Sequence, residues 1–250
     1  MRQAALSLSA LALILAACGG SGSEATTSTS EPITTTTAPV TTTTPETTTT
    51  VPETTTTTGL AGDPVDFGPR EGDSVAVIGV AHDDVLNLRS GPGADQEVLA
   101  EIPNTYDGLI ALGNTRDLGN SFWIEVDYEG TIGWVHFSFI GYLGVTTDET
   151  ATVVAELGEG PYAETMLDIG SIVASTFASD EPQSDIVLSV APTVGDLGEV
   201  TYDVVGVGDD AVRGFRVHVF GQPDDETFGL MAVEVTVLCG RGVTDEGLCT

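Results

Sequence analysis

Lysine is absent from the chain: the seven basic residues are all arginines, set against 38 acidic residues, for a formal net charge of −31. Without lysine there is no Schiff-base chemistry and no serine–lysine nucleophile. Nucleic-acid binding is excluded too, since it needs a basic footprint. Anionic lipid heads and anionic wall polymers are repelled by such a surface as a whole. Solubility explains the acidity most simply; a basic partner or divalent cations are the sharper alternative. Catalytic signatures are missing as well: no Gly-x-Ser-x-Gly elbow and no His-Glu-x-x-His occur. The carboxylates Asp209, Asp210, Asp224, Asp225 and Glu226 lack the spacing of a calcium loop and read as exposed loop residues. No long apolar run occurs either. The run at 4–17, broken by Ser7 and Ser9, is about 14 residues, too short for a helix across a ~30 Å hydrocarbon core.

That run follows Met1-Arg2-Gln3, and small residues lie before a cut site, the pattern of an export signal over 1–17. Its end, Leu15-Ala16-Ala17-Cys18, resembles the lipobox of bacterial lipoproteins. The resemblance implies cleavage before Cys18, lipid on the Cys18 thiol and acylation of the new amino group with chains such as palmitate. The protein is then extracytoplasmic and lipid-anchored to the cell membrane. Residues 18–70 form a Thr/Pro-rich tract with threonine runs at 34–37, 41–44, 47–50 and 54–58. No apolar period survives there, so a disordered stalk is expected, with or without glycans. It reaches about 40 Å as a coil and ~160 Å when extended.

Short strands are expected at 75–80, 85–89, 97–102, 109–112, 122–128 and 131–137, with turns at Ser90-Gly91-Pro92-Gly93 and Glu129-Gly130. Many short strands, glycine-rich turns and no helical period argue a small β-barrel over 73–145. Leu86-Asn87-Leu88-Arg89-Ser90-Gly91-Pro92-Gly93, Trp123-Ile124-Glu125-Val126 and Gly133-Trp134-Val135 resemble three successive motifs of bacterial SH3 domains. Two departures are an acidic Glu125 and a longer polar loop at 113–121. The resemblance implies a groove for wall peptides with an aromatic floor. Trp123, Tyr128, Trp134 and Tyr142 are its candidates, with the tryptophans also serving packing. Asn87 and Arg89 are expected to hold the turn.

From about residue 150 the pattern changes. Gly160-Pro161 suggests a helix start, and Tyr162, Met166, Ile169, Val173 and Phe177 make one apolar stripe on a helix of about 17 residues. Strands follow at 185–190, 199–205, 214–220 and 228–239, the last with Met231, Val233, Val235 and Val237 on one face. One helix on an antiparallel sheet is expected, an α+β domain over 150–250, making the chain mainly β. With Cys18 set aside for lipid, Cys239 and Cys249 form an even pair suited to a disulfide in an exported protein. His82-Asp83-Asp84 reads as a solvated loop tip before a divalent-ion site. His136 and His218 point away from Val135 and from Val217 and Val219. No catalytic residue, cofactor or metal site is expected.

These features point to a lipid-anchored envelope protein that binds peptidoglycan or a wall-associated peptide without catalysis. The alternatives are an acidic accessory subunit docking another exported protein and a cell-wall hydrolase. The hydrolase reading lacks the Cys-His or metal constellation such enzymes carry.

Overall fold

The computed structural model describes residues 59–250, so the export segment, Cys18 and the threonine runs lie outside the described residues. The first strands are β1 (Asp63–Pro64), β2 (Ser74–Val77), β3 (Val85–Arg89), β4 (Val98–Pro103), β5 (Leu109–Asp117), β6 (Phe122–Tyr128) and β7 (Thr131–His136), followed by a 3-10 turn at Phe137–Phe139. The alternation in β3 works as it reads: Leu86 and Leu88 are buried, while Val85, Asn87 and Arg89 stay partly exposed. The two leucines join Val75, Val77, Ile102, Ile124, Val126 and Val135 in one core. The β6–β7 hairpin turns through Glu129 and Gly130, both at positive φ (51° and 87°), and the Asp127 carboxylate accepts from the Gly130 amide.

Two expectations need correction here. Residues 59–70, assigned to the stalk, run along the folded part: β1 pairs with the end of β5, Phe67 packs on Phe122 and Phe137, and Pro69 is buried. The loop expected at 113–121 is largely strand, because β5 continues to Asp117 past a bulge between Ala111 and Thr115. Backbone pairing on both sides, with β1 and β6, replaces the apolar side chains that usually mark a strand.

The remaining elements are β8 (Ile140–Asp148), α1 (Thr150–Leu157), β9 (Tyr162–Ala163), α2 (Met166–Ser175), β10 (Asp185–Val194), β11 (Gly198–Val205), β12 (Val212–Asp224) and β13 (Thr227–Cys239). The thirteen strands form one antiparallel sheet with the central order β10-β11-β12-β13-β8-β2-β5-β6-β7-β3-β4. β8 makes it continuous, pairing at its start with β2 and further on with β13. Among the described residues no helix is long and apolar enough to cross a membrane.

The single long helix expected from Pro161 is corrected to α2, ten residues long, and a second short helix, α1, lies ahead of that span. Thr165 caps α2: its Oγ1 accepts from the Asp168 amide and donates to the Asp168 carboxylate. That cap sets the start at Met166, five residues beyond Pro161. Tyr162, expected on the stripe, instead lies opposite Gly229 in a strand pair and is exposed. Met166, Ile169 and Val173 hold their place on the stripe and are buried, while Phe177 lies past the end of α2 and packs on the same core partly buried. Gly170 lets α2 lie close to the sheet, since a Cβ there would stand 2.5 Å from Val200 Cγ1. Met231 leaves the face it was assigned to. It is the extra residue where the β12–β13 register slips between Phe220–Ala232 and Gly221–Leu230, and it is exposed.

Two arginines bind the first strands to the second group. Asp203 on β11, fully buried, accepts from Arg216 Nε (2.8 Å), Arg216 Nη2 (2.9 Å) and the Gly79 amide (2.9 Å). Arg216 Nη2 also donates to the Val77 carbonyl. Arg213, the extra residue of a β12 bulge, donates to the carbonyls of Phe137 and Ile140 and lies over the Phe137 ring, 4.2 Å from its centre. The disulfide between Cys239 and Cys249 is formed, and both residues pack with the core of the first strands.

Candidate ligand-binding hollow

The β6–β7 ladder runs through six residue pairs from Trp123–His136 to Tyr128–Thr131. On the other side of β7 the pairing with β3 consists of Arg89–Trp134 alone. From that bridge toward Val85 the two strands make no further pair, and a hollow of about 460 Å³ lies beside β3. Trp123, His136 and Phe139 supply its aromatic side, and Asp84, Leu86, Asn87 and Arg89 its strand side. Val187 of β10 closes it from the second group of strands.

The aromatic rings brace one another. Trp123 meets His136 edge-on at 5.4 Å, and His136 meets Phe139 at 5.6 Å. The indole N–H of Trp123 donates to Ser121 Oγ. His136 Nδ1 accepts from the Ser138 amide at 3.2 Å, so the neutral ring carries its proton on Nε2. Burial, and then the charge of Arg213, hold the His136 pKa below the usual histidine value. A depressed histidine pKa means the unfolded chain binds more protons in that window. Stability from His136 is therefore present above about pH 6.5 and lost as pH falls through the folded-state value. The midpoint of thermal unfolding should fall between pH 7 and pH 5 by more in the natural protein than in His136→Gln. Parallel pH profiles for the two proteins would refute this.

The polar lining is sparsely paired. Asn87 has no side-chain hydrogen bond among the described residues, whereas Asp84 accepts from the Val85 amide. Arg89 Nη1 donates to the Gln96 carbonyl at 2.8 Å, which holds the turn as its position on the strand implied, and its side chain also reaches the hollow. The hollow thus presents a carboxylate, a guanidinium, an amide and three aromatic rings. It suits holding a polar extended chain with apolar side groups.

The four aromatic groove candidates are not brought together. Trp123 lines the hollow; Trp134 is buried, beside Arg89 in the ladder. Tyr128 packs edge-on against Tyr106 at 4.9 Å. Tyr142 is buried and donates to Asp73 at 2.6 Å, where burial and the Asp73 carboxylate raise its pKa. His82 is an exposed loop residue whose amide donates to the Leu188 carbonyl. His218 lies on the face opposite Val217 and Val219, 3.3 Å from Glu199. Of the lining, sequence reasoning assigned Trp123 alone to the groove; Asn87 and Arg89 were expected to hold the turn, and Asp84, His136, Phe139 and Val187 had no place in it. The aromatic spacing in His136-Phe137-Ser138-Phe139 is a local signal for two of them; Val187 offers none.

No curated protein and no solved structure matches the chain. Residues 84–141, less than a quarter of the chain but most of the lining of the hollow, match the family model described as the bacterial SH3 domain, and the chain carries a bacterial SH3 domain there.

Proposed function

We propose that this chain is a lipid-anchored, extracytoplasmic envelope protein whose SH3 segment binds peptidoglycan or a wall-associated peptide without catalysis. The hollow beside β3 carries this reading: it joins an aromatic wall to the polar side chains of Asp84, Asn87 and Arg89 at an open strand edge. Bacterial SH3 domains commonly bind wall components, and an aromatic-lined groove suits an extended peptide. The Leu15-Ala16-Ala17-Cys18 ending supplies the anchor and the threonine-rich tract the reach.

The test is sedimentation of the untagged protein, from Gly19 onward, with purified sacculi. Enrichment over an albumin control is expected. Phe139, 39% exposed at the hollow, is the probe of the site. Phe139→Ala should weaken binding about tenfold with the fold intact, since losing one aromatic contact costs on the order of 1.4 kcal/mol. Recovery in the pellet no greater than albumin defeats the reading. The anchor is checked separately: the mature protein should carry a lipid mass on Cys18, and Cys18→Ser should release it from membranes.

A further inference from the structure

The hollow has two chemically different ends, and its third wall comes from outside the SH3 segment. Asp84 stands just before β3 and Arg89 at its last position, so about 16 Å of chain separates them at ~3.3 Å per extended residue. Four or five residues of an extended ligand span that length. The edge of β3 facing β7 is paired at Arg89 alone, which leaves strand backbone beside the hollow for such a chain to lie along. A carboxylate at one end and a guanidinium at the other give the hollow no net charge, within a chain of net charge −31. Anions as a class are repelled by the surroundings, and a ligand carrying both charges is matched at both ends.

Val187 reaches the hollow because β10 is tied to the barrel loops around it. The His82 amide donates to the Leu188 carbonyl at 2.8 Å, and Asn104 Nδ2 donates to the Ser189 carbonyl at 2.6 Å. The Asp203 carboxylate fixes Gly79, another lining residue, through its amide. The appended strands therefore shape the hollow as well as covering the barrel.

We infer that the hollow takes a short extended peptide with both ends free, its ammonium at Asp84 and its carboxylate at Arg89, packed on one side by Val187. The inference rests on the peptide-binding reading above and adds polarity, length and a contact from β10.

The full chain in detergent is titrated with tetra-alanine bearing free ends, with its N-acetylated form and with its C-amidated form. The readout is the indole N–H resonance of Trp123, one of two tryptophans in the chain. Free tetra-alanine should shift it, and blocking either end should weaken binding about tenfold, the range of one partly exposed charge-assisted contact. Asp84→Asn should erase the penalty for acetylation alone. Arg89→Gln should erase the penalty for amidation alone, with Arg89→Lys restoring it. Val187→Glu should abolish the shift while the circular dichroism spectrum stays unchanged. If Arg89→Gln disturbs its turn, Asp84→Asn and Val187→Glu still decide the matter. Equal binding of all three peptides overturns the inference, as does no shift at millimolar free peptide or an unaffected Val187→Glu. Any of these together with binding to sacculi leaves the parent reading standing. The expected peptide pattern without binding to sacculi does the reverse.

Discussion

Replacing Asp203 with asparagine should lower unfolding stability by about 3–5 kcal/mol, the usual cost of removing one partner from a buried ion pair. Asp203 has no exposed surface, and its two oxygens take three donors, two from Arg216 and one from the Gly79 amide. An asparagine turns one acceptor into a donor that faces other donors. The Arg216 charge is then buried without its counterion. Burial alone would draw the Arg216 pKa down, but the hydrogen bonds and charge of Asp203 outweigh it and hold the value above normal. Arg216→Met should cost a similar amount, because it strands the carboxylate. The double variant Asp203→Leu/Arg216→Met should recover much of the loss, since a buried pair exchanged for packed apolar groups is often neutral. Urea unfolding of the three variants measures this directly. A single-variant loss below about 1 kcal/mol would show that the pair is wet or mobile. Gly79 borders the hollow, so Asp203→Asn should also weaken ligand binding.

The same pair shows where sequence reading stops. Strand alternation puts Arg216 opposite Val217 and Val219, on a face that reads as exposed. Its side chain is only 15% exposed because the first strands lie over that face, through contacts 124 and 139 residues apart in sequence. By contrast the core of the first strands was legible, because Leu86 and Leu88 alternate with polar neighbours and Gly133-Trp134-Val135 ends a recognisable run. β8 and α1 were not legible. The Thr146-Thr147-Asp148 end of β8 is held by backbone pairing to β13 rather than by apolar side chains. α1 buries Val153 alone, too little for a stripe, although the left-handed Gly158 behind it is a stop signal in the chain. The hollow was half legible. Trp123 was expected in a groove and lines it; Asn87 and Arg89 were expected to hold the turn, which Arg89 does while both also line the hollow, and Val187 joins them by tertiary placement alone.

Opening the Cys239–Cys249 bond should remove about 3 kcal/mol, the loop-entropy value for a closed segment of this size. The bond does more than shorten the unfolded chain. Cys239 ends β13 and is fully buried against the core of the first strands, and Cys249 packs on the same core. Between them the tail returns to β8, where the Val145 amide donates to the Gly247 carbonyl at 2.7 Å. The tail thus covers the place where β8 passes from β2 to β13, the one strand continuous with both groups. Releasing it should loosen that junction first. Hydrogen exchange in the double variant Cys239→Ala/Cys249→Ala should rise at Val145 and Leu143 before it rises at Leu88 or Val219. Chemical denaturation should show the midpoint falling with little change in slope. A midpoint equal to that of the natural protein, with exchange at Val145 unchanged, would mean that packing alone seats the tail. Because the bond needs an oxidising compartment to persist, the stability it adds is available only in such a compartment.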